Sequence, residues 1–317
     1  MHKSIPAVAV LVLASGILAA CGGGGGGGGA TRPSDTVGVS GSPDNGEPPV
    51  ASLAPLGQIP ATAGHIDFTQ ATNLTAAPLG SAAVLNGTMT PAVSLSNAPS
   101  IQIAIDGVGT EVFTAAEASS INTFFRIDTA SHSDSVTTRT VTYIAPDTDD
   151  TKASRLQFSS LGVWNATDIA TGNVTQAVAF SVGTRTAGSD IPTTGTANYN
   201  GFMLGNAFEA GGGQFAVNAN AAAFADFGAR SVNYSTTGST KTDLRSGALS
   251  QAANYDMNGT LTYAAGVNAL SGTVKTADGK TGAATGNFYG PQAAELGLTF
   301  KATSSTGTLV GGAALKR

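Results

Sequence analysis

From residue 214 to 227 the chain alternates with a period of two. Phe215, Val217, Ala219, Ala221, Ala223, Ala225 and Phe227 fall on one face, and Asn218, Asn220 and Asp226 on the other. Successive side chains of a β-strand point to opposite sides, so this is a strand with one buried face. The same reading places strands near 195–203, 214–227, 230–236, 257–264, 268–275, 283–289, 295–302 and 307–315. Eight antiparallel strands can remove their exposed edges by closing on themselves, and side chains alone can fill the interior of so small a ring. Residues 191–317 are therefore predicted to form a small eight-stranded antiparallel β-barrel, with Asp278-Gly279 as one of its hairpin turns. The alternate face carries Thr196, Asn198, Asn200, Asn218 and Asn220, which argues against a membrane-spanning barrel with an outward apolar band. Upstream, Ile101–Ile105, Val141-Thr142-Tyr143-Ile144 and Arg155-Leu156-Gln157-Phe158 alternate in the same way between turn clusters, predicting a second β-rich domain over 61–190.

The start of the chain reads differently. Lys3 precedes an apolar run over 5–14 and then Leu18-Ala19-Ala20-Cys21. This is a signal peptide over 1–20, too short for a spanning helix of roughly 20 apolar residues. Leu-Ala-Ala-Cys resembles the bacterial lipobox, which implies cleavage before Cys21 and acylation of it. Cys21 is the only cysteine, so an intramolecular disulfide is excluded. Several acyl chains, at about 0.8 kcal/mol per buried CH₂, make a lasting attachment to the lipid bilayer. Gly22 follows Cys21 where sorted lipoproteins retained at the inner membrane carry an aspartate, which points to the outer membrane. Residues 21–60, rich in Gly, Pro, Ser and Asp, bury too little apolar surface to offset their ordering entropy and read as a flexible tether. A coil of about 40 residues spans on the order of 35 Å.

Composition narrows the function. The chain has 317 residues, 42 of them glycine, only 11% charged, with formal net charge −5. Abundant Gly, Thr, Ser, Ala and Asn suit strands and turns over helices, and the absence of a basic cluster excludes nucleic acid as a natural partner.

Three segments carry a family resemblance: Gly162-Val163-Trp164; Phe180-Ser181-Val182-Gly183-Thr184-Arg185-Thr186; and the run from Ile191 to Gly201 containing Thr194-Gly195-Thr196-Ala197-Asn198-Tyr199-Asn200. Gly286-Asn287-Phe288-Tyr289-Gly290-Pro291-Gln292-Ala293-Ala294-Glu295-Leu296-Gly297 and Val310-Gly311-Gly312-Ala313 complete it. Together they resemble transferrin-binding protein B-like bacterial surface lipoproteins, over about residues 161–317. The resemblance implies an all-β lobe in which a β-rich handle region is followed by an eight-stranded barrel. It also implies display at the cell surface through a Slam-type outer-membrane translocon. There is room for one lobe where the transferrin receptor has two, and Leu298 stands where the family often has a second glycine.

Candidate chemistry is sparse. His65 lies near the tether, and His132 with Asp134 lies in a polar stretch without a nucleophile-elbow pattern, so a solvated loop histidine is expected and no catalytic residue is assigned. Asp147-Thr148-Asp149-Asp150 lacks the Gly and distant Glu of a calcium loop and reads as an exposed turn. Gly211-Gly212-Gly213 has no lysine for phosphate and reads as a hairpin loop. Tyr143, Tyr199, Tyr234, Tyr263, Tyr289 or either histidine could ligate haem iron, so haem is kept as an alternative ligand, with packing as the default for the tyrosines. The expected function is that of a non-enzymatic surface receptor for an iron- or haem-carrying protein or cofactor. A structural or immune-evasion surface protein and a periplasm-facing assembly lipoprotein share the same features.

Overall fold

The computed structural model describes residues 66–75, 84–89, 100–105, 109–122, 127–144 and 156–317. Cys21, the 21–60 tether, His65 and the 147–150 acidic run lie outside the described residues.

Nine strands form a first antiparallel sheet: β1 (Ile66–Thr75), β2 (Val84–Met89), β3 (Ser100–Ile105), β4 (Gly109–Thr114), β5 (Ala118–Asn122), β6 (Ile127–Ser133), β7 (Thr137–Ile144), β8 (Ser159–Asp168) and β9 (Val174–Gly183). Their spatial order is β4-β3-β2-β1-β9-β8-β7-β6-β5. β9 pairs with both β8 and β1, so the beginning and end of this handle region meet at its centre. Phe180 lies opposite Gly162 in that pairing, and a Cβ added at Gly162 would collide with the Phe180 ring. The glycine is there because the aromatic covers it.

The second sheet contains β10 (Thr196–Glu209), β11 (Gln214–Asp226), β12 (Ser231–Asp243), β13 (Leu249–Gln251), β14 (Met257–Thr262), β15 (Leu270–Thr276), β16 (Thr281–Tyr289), β17 (Glu295–Ser304) and β18 (Gly307–Lys316). It closes through the β11–β12 pairing, leaving eight strands in the ring, and β13 is a short addition along the end of β12. The alternation expected in β11 is real: Val217, Ala219, Ala221, Ala223 and Ala225 are buried in the barrel core with Tyr199, Met203, Tyr234, Phe288 and Phe300. A stripe of alanines on one wall leaves room for rings from the others. Tyr263 meets Phe288 edge-on, with centroids 5.5 Å apart at 84°, and the Tyr199 hydroxyl donates to Ala293 O at 2.6 Å. Leu298 points into this core, so the departure from a second glycine is absorbed as packing.

Two strands run further than their sequence pattern indicated. β10 continues to Glu209 because its second half is buried on both faces: Met203 and Ala207 face the barrel core while Phe202, Leu204 and Phe208 face the handle. Burial on both sides erases the alternation. β12 continues to Asp243 through Ser239, Thr240 and Thr242, polar residues that are buried there. A third correction concerns 155–158, read above as a strand. Leu156 to Phe158 form an irregular strap before β8, and its N–H groups bond to a side chain of the barrel in place of a ladder.

The handle lies against the outside of the barrel. Leu161, Val163 and Ala179 pack with Phe202, Leu204 and Ala314, and Val174 and Ala177 pack with Phe208 and Val310. Each larger apolar side chain so buried stabilises by roughly 1.5–3 kcal/mol, enough to hold the two sheets together. Gly312 lets them approach, since a Cβ there would stand 2.6 Å from Leu161 Cδ1. At one end of the junction Glu295, fully buried, accepts from Gln157 N at 2.6 Å, Phe158 N at 3.1 Å and Ser159 Oγ at 2.7 Å.

Candidate functional site

Three of the turns that connect the strands at one end are wound around aspartates. In the turn between β6 and β7, Asp134 Oδ1 accepts from Val136 N at 2.7 Å and Thr137 N at 2.8 Å, and Oδ2 accepts from Arg139 Nη1 at 2.7 Å. Between β8 and β9, Asp168 Oδ1 accepts from Thr171 N at 2.8 Å and Thr171 Oγ1 at 2.7 Å. Between β12 and β13, Asp243 Oδ1 accepts from Arg245 N at 3.0 Å, Ser246 N at 2.8 Å and Ser246 Oγ at 2.9 Å. The chemistry is the same each time: a short carboxylate satisfies N–H groups that a tight turn leaves without a ladder partner. These bonds hold all three carboxyls below the usual range, chiefly through Arg139 at Asp134, the Thr171 hydroxyl at Asp168 and the Ser246 amide at Asp243.

Tertiary contacts set the turns side by side. Ile169 N donates to Val136 O at 2.8 Å, joining the first turn to the second. Arg245 donates to the Asn173 side chain, joining the second to the third across the handle–barrel junction. Beside them Gln214, at the start of β11, grips Val174 by both its groups: Oε1 accepts from Val174 N at 2.8 Å and Nε2 donates to Val174 O at 3.2 Å. The result is a platform of hydrogen-bonded loops contributed by both sheets. It presents Val136, 60% exposed, and Leu249, 41% exposed.

At the same end the barrel mouth holds a charged network. Glu209 Oε1 accepts from the Tyr255 hydroxyl at 2.7 Å and from Lys241 Nζ at 3.1 Å, and Lys241 sits 3.9 Å from the centre of the Phe215 ring. Lys280, almost fully buried, pairs with Asp278 and donates to Thr306 Oγ1 at 3.3 Å. Burial pushes Glu209 up, but the Tyr255 hydroxyl and Lys241 more than offset it and leave the carboxyl below its ordinary value. Asp278 behaves likewise, with Lys280 and Thr276 outweighing burial. An open cleft of about 480 Å³ lies above, lined by Glu209, Ala210, Gly211, Asp278, Lys280, Ser305 and Thr306.

The residues singled out in the sequence lie elsewhere. His132 is on β6, not in a loop, and its Nε2 stands 3.2 Å from Glu111 while its ring lies 4.9 Å from Phe113. Asp134 bonds to Arg139, so the imagined His132–Asp134 pair does not form. Gly211-Gly212-Gly213 is the β10–β11 hairpin, as read. Tyr143, Tyr199, Tyr234, Tyr263 and Tyr289 are all buried in the packed sheets. Among the described residues, no group of three or more His, Cys, Asp or Glu could hold a metal ion. The platform and the mouth network escaped sequence reading, although Asp-Leu-Arg-Ser-Gly at 243–247 is a recognisable turn sequence.

Comparison with known proteins bears on the same region. Residues 191–316 match the family described as the C-lobe and N-lobe beta barrels of Tf-binding protein B. The intact Ap-TbpB structure, containing N and C lobes, superposes with a TM-score of 0.50 at 18% identity, covering 79% of this chain and 46% of that one. The chain has a TbpB-like fold. A transferrin binding protein B mutant from Haemophilus parasuis Hp5, described as a vaccine antigen, superposes equally, with a TM-score of 0.50, 16% identity and coverage of 79% and 45%. This TbpB-like chain thus spans less than half the length of either structure. No curated protein matches it in sequence. The motif from Gly286 to Gly297 now has a physical account. Gly290, with φ of 72°, packs under the Phe158 ring, Tyr289 reaches Ser181 at 3.1 Å, and Glu295 gathers the strap of the handle.

Proposed function

We propose that the chain is a surface-displayed lipoprotein of the outer membrane, anchored through Cys21, that captures another protein on the platform of Asp-wound turns. The observation that carries this reading is the platform itself: loops from two sheets are locked together and present Val136 and Leu249 to solvent. A preorganised loop set on a rigid β scaffold binds without a large ordering cost, and exposed apolar side chains rimmed by polar ones are what a protein partner covers. The TbpB-like fold supports an iron-carrying protein as the class of ligand, since the similar structures are transferrin-binding proteins by name. A haem-carrying protein is the nearest variant of that reading.

The test is binding of the full-length, detergent-solubilised protein to iron-carrying and haem-carrying serum proteins, measured for the parent and for the Val136→Asp, Leu249→Asp double variant. Saturable binding that weakens at least about tenfold in the variant, a loss of about 1.4 kcal/mol, is expected. Thermal stability should stay within about 0.5 kcal/mol, because both side chains are exposed. Binding that is indifferent to both substitutions, or no binding by the folded protein, overturns the reading.

A further inference from the structure

The barrel wall turned away from the handle is a broad hydrated face. The outward positions of β11, β14, β15 and β16 carry Asp226 and Lys275 as their only charges, among Asn218, Asn220, Asn258, Thr260, Thr262, Ser271, Thr273, Thr281 and Thr285. On this polar face, two residues before the end of β11, stands Phe224, 41% exposed and the only aromatic among the large hydrophobic residues left exposed in the described structure.

Its surroundings are specific. In the strand pairing Asn198 of β10 lies directly opposite Phe224 on one side and Asn233 of β12 directly opposite on the other, and both are exposed. Directly paired residues on neighbouring strands have Cβ atoms about 4.5–5.5 Å apart, so the two amides flank the ring. Two residues along the same face stand Ala222, too short to cover the ring, and Asp226, whose Oδ1 is occupied by Ala229 N at 2.9 Å. Thr260 Oγ1 donates to Asn233 Oδ1 at 2.9 Å, which orients that amide.

We propose that this ledge is a saccharide-binding site for a neutral glycan, with Phe224 as the stacking platform and Asn198 and Asn233 as the groups that bond to hydroxyls. A pyranose has an apolar C–H face and a rim of hydroxyl groups. A ring with a negatively polarised face meets the first, and side-chain amides, each both donor and acceptor, meet the second. The near absence of charge across the wall matches an uncharged polyhydroxylated partner and offers no complement to an acidic or basic one. The site is separate from the turn platform and does not depend on it.

The full-length protein in detergent is tested against glucan oligosaccharides, N-acetylglucosamine oligomers and desialylated serum glycopeptides, with parent, Phe224→Ala, Phe224→Tyr and Asn233→Ala compared. Saturable binding to at least one arm is expected, lost by about tenfold or more in Phe224→Ala, retained in Phe224→Tyr and weakened in Asn233→Ala. Binding to the glycopeptide arm alone identifies a glycoprotein source, and binding to the free oligosaccharides alone a polysaccharide source. The Val136→Asp, Leu249→Asp variant should bind glycan as the parent does, which separates this site from the platform. If no arm is bound by the folded protein, or if Phe224→Ala binds as the parent does, the assignment is wrong.

Discussion

Replacing Glu295 with glutamine should make the stability of the protein less dependent on pH. The carboxyl is fully buried at the handle–barrel junction, and burial pushes it up to about 7 against the pull of Gln157, Ser159 and Phe158, the donors that bond to it. A carboxyl near 7 in the fold and near 4.5 when unfolded binds its proton more tightly in the folded state. Its contribution is therefore complete below about 4.5 and is lost as the pH rises through about 7, a change of about 3 kcal/mol. Glutamine resembles the protonated acid, but its NH₂ replaces one oxygen and so faces either the Gln157 N–H or the Phe158 N–H together with the Ser159 hydroxyl. One buried donor left without an acceptor costs about 1–3 kcal/mol. Glu295→Gln should thus be less stable than the parent at pH 5, and the difference should move by about 2.5 kcal/mol in its favour by pH 8. At about 2–4 °C per kcal/mol this is a relative shift of about 5–10 °C in melting temperature. Calorimetry of both proteins at pH 5, 6, 7 and 8 reads it directly. Asp134, Asp168, Asp243, Glu209 and Asp278 are held low and lose stability as pH falls, but both proteins share them and the difference cancels their effect. A difference between the two proteins that stays constant from pH 5 to 8 refutes the reasoning.

Other perturbations follow from the same contacts. Gly312→Val places a side chain 2.5 Å from Leu298 O and 2.6 Å from Leu161 Cδ1, and should cost about 1–3 kcal/mol by prising the handle from the barrel. Limited proteolysis should then cut the junction around the 156–158 strap sooner than in the parent; an unchanged cleavage pattern and melting temperature would show that the sheets do not need the close approach. Cys21→Ser should move the protein from the membrane fraction to the soluble fraction of fractionated cells, and continued membrane retention would remove the lipid anchor from the proposal.

How much of this was legible beforehand depended on whether a residue's environment was local. β11 could be read because one of its faces meets the barrel core and the other meets water, so burial alternates as the sequence does. β10 beyond Met203 could not, because the handle covers its outer face, and only the tertiary arrangement supplies that second cover. The strap from Leu156 to Phe158 looked like a strand for a related reason. Its alternation was present, but its N–H groups have Glu295 as partner, 137 and 138 residues away in the chain for Phe158 and Gln157. Of the platform aspartates only Asp134 was singled out in the sequence, in a polar stretch beside His132; the alignment of the three turns was not legible, since it rests on Arg245 meeting Asn173 across 72 residues. Resemblance to the TbpB-like motif located the junction without explaining it, because Glu295 and Gly297 serve the handle while Phe288 and Leu296 serve the barrel core. A motif that alternates between two partners keeps both in register. The run from Gly286 to Gly297 therefore has a structural cause in the junction it holds together.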